Sequence, residues 1–157
     1  MAEAWRVRLV NSPADMDAAL RIRREVFVVG QSVPEELEVD GLDGSCTHLL
    51  AEARVDGAWT PVGTARLRNK GELAKAERVA VLEAHRGAGL GALLMTALED
   101  EAEHQGRRVV VLHAQVSVVK FYEKLGYIGE GDEFEEAGIQ HLSMRKALPL
   151  RALDDED

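Results

Sequence analysis

A short apolar stretch, Val79-Ala80-Val81, is followed a few residues later by Arg86-Gly87-Ala88-Gly89-Leu90-Gly91, which opens directly into a helix-periodic segment reaching His104. No other part of the chain restricts the fold as much. A glycine-dense turn between a strand and a helix requires a strand-turn-helix unit laid on a sheet. It also presents unpaired N–H groups at a helix N-terminus, where the backbone dipole favours an anion such as phosphate or pyrophosphate. Arg86 adds a fixed positive charge at the edge of the turn. No Lys-Ser or Lys-Thr follows the glycines, which argues against a P-loop nucleotide site.

The surrounding patterns fix the order of elements. Alternation predicts a strand over residues 5–10. Met16, Ala19, Leu20, Ile22, Val26 and Phe27 give residues 13–29 the apolar face of a helix, with Asn11 or Ser12 as its cap. Residues 30–45 read as a long acidic loop, too polar for the core. Residues 48–53 and 60–67 form a hairpin around Asp56-Gly57, and a turn at Asn69-Lys70-Gly71 leads into a strand over 73–81. Leu90, Leu93, Leu94, Ala97 and Leu98 predict a helix over 89–104, closed by Gly106. A strand over 108–113, a helix over 117–125 ended by Gly126, and strands over 127–133 and 139–146 complete the chain. The order β-α-β-β-β-α-β-α-β-β predicts an α/β (α+β) fold, a mixed sheet with helices on its faces.

With 157 residues, the chain is expected to form one domain over 1–150 followed by an acidic, disordered tail over 151–157. The net charge of −9 argues against a nucleic-acid partner, which calls for a basic face, and weakly favours a cationic substrate. No apolar run is long enough for a membrane span, and the N-terminus lacks a signal-peptide pattern. The single Cys46 allows no intramolecular disulfide and no metal cluster, so a reducing cytoplasm is the expected location.

Residues Val79 through Tyr127 resemble the acyl-CoA-binding half of the GNAT N-acetyltransferase superfamily. That family's signature is Gln or Arg, two residues, Gly, one residue, then Gly or Ala; Arg86, Gly89 and Gly91 fill it. Phe121-Tyr122-Glu123-Lys124-Leu125-Gly126-Tyr127 is similar to the family's late helix and following strand. Arg24-Glu25-Val26-Phe27-Val28-Val29, with Pro34, Glu38, Asp40, Asp43 and His48, resembles a subgroup with a related first helix and acidic loop. The likeness covers nearly all of residues 5–147.

This resemblance implies the GNAT acyl-CoA N-acyltransferase fold, a mostly antiparallel mixed sheet whose fourth and fifth strands splay apart. It implies acetyl-CoA as cosubstrate, no metal, and direct transfer to a primary amine, either a small molecule or a peptide. The pantetheine arm would pair with the main chain of Val79, Ala80 and Val81 like an added strand. The pyrophosphate would sit on N–H groups of Gly87, Ala88, Gly89, Leu90, Gly91 and Ala92, beside Arg86. Gln115 falls where many relatives place an Asn that touches the cofactor. Tyr122 falls where the family places a tyrosine near the CoA sulfur; a phenol, ordinarily near pKa 10, is protonated at neutral pH and can donate to the leaving thiolate. Homodimers are common in the family.

The general base is less defined. Strand alternation puts Glu77 on the face of Val79 and Val81, but the carboxylate of some relatives falls two residues earlier, at Lys75. Gly30 stands where the subgroup often has Glu before Gln31. Glu38, Asp40, His48, His113 and His141 are further candidates, and Glu38, His48 and His141 are also candidates to bind substrate. Two alternatives stay open: a non-catalytic acyl-CoA-binding or sensing module, and an acyltransferase using a longer acyl donor. The second arises because the Val26-Phe27-Val28 helix also resembles acyl-homoserine-lactone synthases.

Overall fold

Local chemistry sets most chain reversals. Asp56 and Gly57 both have positive φ, 51° and 78°, the pair of left-handed residues that a tight hairpin compatible with strand twist requires. Ser12 accepts a hydrogen bond from the Asp15 N–H and Pro13 occupies the first turn, so the first helix starts where its orphan donors are satisfied. The computed structural model describes residues 2–149; the tail expected over 151–157 lies outside the described residues.

The elements are β1 (Ala4–Leu9), α1 (Pro13–Arg23), α2 (Glu35–Glu38), β2 (Thr47–Val55), β3 (Ala58–Lys70), β4 (Leu73–Val81), α3 (Leu90–His104), β5 (Val109–Gln115), α4 (Val119–Lys124), β6 (Ile128–Glu136) and β7 (Ile139–Ala147). The strands form one seven-stranded sheet in the order β1-β2-β3-β4-β5-β7-β6. All neighbours are antiparallel except β4 and β5, which run parallel. Leu90, Leu94, Met95, Leu98 and Ala102 of α3 pack on one face against Leu49, Leu67, Val110 and Leu112. Ala18, Ala19 and Ile22 of α1 pack on the other, against Leu50 and Ala80. No helix among the described residues is long and apolar enough to cross a membrane.

Three departures from the sequence reading bear on function. The first helix is α-helical only to Arg23 and continues through Arg24–Val29 in wider π-type turns. Such widening is a local feature common at functional sites; here it buries Val26 and leaves Phe27 at the edge of a cavity. The segment over 30–45, expected to stay out of the core, buries Val33 and Glu38. It can do so because the buried Arg23 side chain pairs with Glu38.

The third departure is in β4. Thr64 of β3 opposes Ala80, whereas Arg66 opposes Glu77, so β4 carries one extra residue. That bulge places Arg78 in the left-handed region at φ 55°. Because side chains alternate along a strand, one inserted residue inverts the faces beyond it. Val81 opposes Gly63, whose missing Cβ would lie 3.3 Å from Leu94 on the α3 face. Glu77 opposes Arg66, on the other face. Glu77 therefore does not share a face with Val79 and Val81, as uninterrupted alternation had predicted.

Candidate active site

The parallel pairing of β4 with β5 stops after Ala76 opposite Leu112. Beyond it Glu77–Val81 and His113–Gln115 diverge, leaving a β4 edge with free backbone groups inside the sheet. This is the splay the resemblance implied. A cavity of about 970 Å³ fills the wedge and continues beneath the Phe27–Leu37 segment.

The glycine turn closes one end of the wedge. Gly87 and Gly89 lie in the left-handed region, at φ 87° and 83°, where a side chain would strain the backbone. Gly89 caps α3 without any side-chain hydrogen bond, and the Leu93 N–H is the one bonded to the Gly89 carbonyl. The N–H groups of Leu90, Gly91 and Ala92 therefore have no intrahelical acceptor. Together with the positive end of the α3 dipole they suit a pyrophosphate. Arg86 Nε donates to the Val81 carbonyl at 2.9 Å, fixing the turn to the end of β4. Gly91 serves packing as well, since a Cβ there would come within 3.1 Å of the Phe121 ring.

Tyr122 of α4 lines the same cavity. Its ring packs edge-on against Phe121 and Tyr127, with centroids 4.9 and 5.8 Å away. Burial raises its phenol to about 12, so it holds its proton throughout the neutral range.

Opposite the glycine turn lies a dense ionic lattice. Arg23, 1% exposed, contacts Glu38 at 2.5 Å and Asp43 at 2.7 Å. Arg66, fully buried, contacts Asp40 and Glu77 at 2.8 Å and Asp43 at 3.0 Å. Arg68 and Lys75 reach Glu77 at 2.9 and 3.5 Å, while Arg78 donates to the Glu38 carbonyl and to Asp40. Buried charge is tolerated only when paired in this way. Desolvation would push the Glu77 carboxyl up, but Arg68 and Arg66 outweigh it and hold the group at about 2. Arg66 likewise holds Asp40 well below the usual carboxylate range. Three cations thus surround the Glu77 carboxylate.

Of the residues expected at the site, Glu77, Val79, Ala80, Val81, Arg86, Gly87, Gly89, Leu90, Gly91, Gln115, Tyr122, Glu38 and His141 line the cavity. Ala88, Ala92 and His48 do not. His48 is buried beneath the acidic loop with Nε2 hydrogen-bonded to the Asp43 carbonyl at 2.9 Å, which removes it from the substrate position expected for it. Gln115 Nε2 donates to Gln31 Oε1 at 2.9 Å, and Gln31 Nε2 donates to Gln115 Oε1 at 3.4 Å, a clasp joining β5 to the segment after the π-type turns. Sequence reasoning missed Glu136. It sits in an acidic run, Glu133-Phe134-Glu135-Glu136, that reads as a solvated edge. Only strand register brings it to His113, whose Nδ1 lies 3.0 Å from it.

The comparisons with known proteins agree with this geometry. The family model described as an acetyltransferase (GNAT) domain matches residues 13–148. The uncharacterized N-acetyltransferase YjcF of Bacillus subtilis is 43% identical over 139 residues, 88% of this chain and 96% of its own. Among solved structures, an acyl-CoA N-acyltransferase from Pseudomonas aeruginosa superposes with a TM-score of 0.77 at 32% identity, covering 92% of this chain and 99% of that one. Escherichia coli ElaA superposes with a TM-score of 0.76 at 30% identity, covering 93% and 99%. A free helix start, a parted β4–β5 pair and a family match over 13–148 converge on one assignment: the chain belongs to the GNAT acetyltransferase family.

Proposed function

We propose that residues 1–150 form one N-acetyltransferase domain that moves the acetyl group of acetyl-CoA directly to a primary amine, with Tyr122 as the acid for the leaving thiolate. The observation that carries this reading is a single cavity bounded by the free N–H groups of α3, the unpaired edge of β4 and the buried Tyr122 phenol. The α3 N–H groups and the Arg86 side chain bind the pyrophosphate. Val79, Ala80 and Val81 offer main-chain partners to the pantetheine arm and orient the thioester, so both reactants meet in one wedge. Tyr122 delivers its proton to sulfur. The carboxylate of Glu77, held at about 2 by its cations, is a weak proton acceptor and serves to position β4. Gln115, clasped to Gln31, frames the wedge mouth. The reading keeps the enzyme in the cytoplasm, with homodimerisation checked by size-exclusion chromatography.

The test is transfer itself. Purified protein with acetyl-CoA and a panel of primary amines should release free thiol and acetylated amine in equal amounts. CoA binding by calorimetry without turnover on any amine would instead favour the sensing module. Faster turnover with longer acyl donors would favour that alternative.

A further inference from the structure

On the sheet face away from α3, the strands β5, β7 and β6 gather a group of polar side chains. Gln115 opposes His141, and His141 opposes Phe134. His113, two residues before Gln115, and Glu136, two after Phe134, share that face by alternation. His113, Glu136 and His141 all line the cavity, and the Phe134 ring stacks on His141 at 6.0 Å.

The hydrogen bonds fix which atoms can accept. His141 is 7% exposed, and its Nδ1 lies 2.7 Å from the Ile139 carbonyl. A carbonyl oxygen only accepts, so Nδ1 carries the proton and Nε2 of the neutral ring is an acceptor. That Nε2 lies 3.8 Å from Glu136 Oε2, a second acceptor. The other carboxylate oxygen accepts from His113 Nδ1–H at 3.0 Å, which holds Glu136 in place. Two acceptors therefore converge across a space too wide for a direct bond, and they complement a group that donates two N–H bonds. A primary ammonium does so, and the carboxylate favours its charge.

The other carboxylates at the cavity are already matched. Glu38 pairs with Arg23, Asp40 with Arg66 and Arg78, and Glu77 with Arg66, Arg68 and Lys75. Among the described residues lining the cavity, Glu136 is the one carboxylate without a Lys or Arg partner. Phe27, Val33 and Ile139 supply apolar lining to the same cavity.

We propose that Glu136 and His141 seat the acceptor's primary ammonium group, and that the acceptors are small primary amines carrying an apolar arm. This rests on the acetyl-transfer reading. The ammonium nitrogen gives one proton to His141 Nε2 and so gains the lone pair that attacks the thioester carbon. The N–C bond forms as the C–S bond breaks. The nitrogen's second proton replaces the one Tyr122 delivers to sulfur. Amide and free thiol result, and His141 returns the remaining proton to solvent.

The probe is 2-phenylethylamine, with 2-phenylethanol as its uncharged counterpart, added to the full chain holding CoA. Imidazole nitrogen NMR should show His141 protonated at Nδ1 in the free protein. The amine, and not the alcohol, should shift His141 and His113. Glu136→Gln should raise the amine Kd and KM at least about tenfold, with CoA affinity by calorimetry unchanged and Glu136→Asp restoring part of the loss. Glu136 is half exposed at an edge hairpin with no Lys or Arg partner, so the variant should fold. His141→Asn should lower kcat about a hundredfold at saturating amine. Normal CoA binding with no imidazole shift, or a Glu136→Gln enzyme with an unchanged amine KM, overturns the ammonium seat and leaves the acetyl-transfer reading standing. Failure to bind CoA overturns the acetyl-transfer reading, and the seat with it.

Discussion

The two ends of the wedge are built on different principles. The end proposed to hold the donor is backbone: positive-φ glycines, free N–H groups at the start of α3, and the unpaired edge of β4. The end proposed to hold the acceptor is side chain, with an ionic lattice drawn from α1, the acidic loop, β3 and β4, and a Glu-His group drawn from β5, β6 and β7. A backbone cradle tolerates side-chain change as long as φ is respected. A side-chain lattice is sensitive to every partner, because removing one charge strands the others in a dry environment. On the proposed reading, the donor end can thus stay fixed while the acceptor end sets what is acetylated.

The sharpest way to separate the two ends is Arg66→Met. It leaves Asp40, Asp43 and Glu77 without their shared buried cation, and the expected loss is about 3–5 kcal/mol of stability in urea unfolding. Below the new melting point CoA affinity should stay within about threefold, since Arg68 and Lys75 still hold Glu77 on β4 and no α3 N–H group depends on Arg66; a parallel collapse of CoA binding would show that the ends are not separable.

Acid should act on the same lattice. Glu77 has a folded pKa of about 2 against an ordinary 4.5, so its contribution is fully present above 4.5 and is lost as pH falls from there through 2. The expected loss is about 3 kcal/mol, read as a falling urea midpoint between pH 5 and pH 2. Arg68→Met should flatten that fall, whereas a glycine-turn variant should leave it intact. Tyr122 has the opposite sign: with its pKa raised from 10.0 to about 12, its contribution holds below 10 and fades as pH rises from 10 through 12.

Tyr122→Phe tests the junction of the two ends. It should reduce kcat about a hundredfold with CoA affinity and melting temperature unchanged, and undiminished turnover would assign the acid role elsewhere. The smallest effect belongs to Gly89→Ala. It forces a side chain into the left-handed region at roughly 1–2 kcal/mol and should weaken CoA binding by calorimetry about tenfold, leaving the amine KM unchanged.

Much of this was legible in the chain. The glycine turn, the Asp56-Gly57 hairpin, the order of elements along the chain and the splayed β4–β5 pair are all expected from sequence or from resemblance. The acidic loop was visible too, although its polarity suggested solvent and the structure buries Glu38 on Arg23. His48 was visible as a candidate but is absorbed by the Asp43 carbonyl.

What the sequence alone determined is the donor end, because its requirements are local. Positive φ at Gly87 and Gly89 and unpaired N–H groups at a helix start are properties of a few consecutive residues. Only the tertiary structure decided the acceptor end. One extra residue at Arg78 turned Glu77 away from Val79 and Val81. On β6, four residues from Glu130 to Phe134 span the two that separate Ser143 from His141 on β7, and this offset brings Glu136 to His113. Strand side chains alternate with a period of two, so the one extra residue on β4 exchanges the faces, while the two extra on β6 keep the face and change which residue stands opposite β7. Where that shift falls is set by pairing with distant strands.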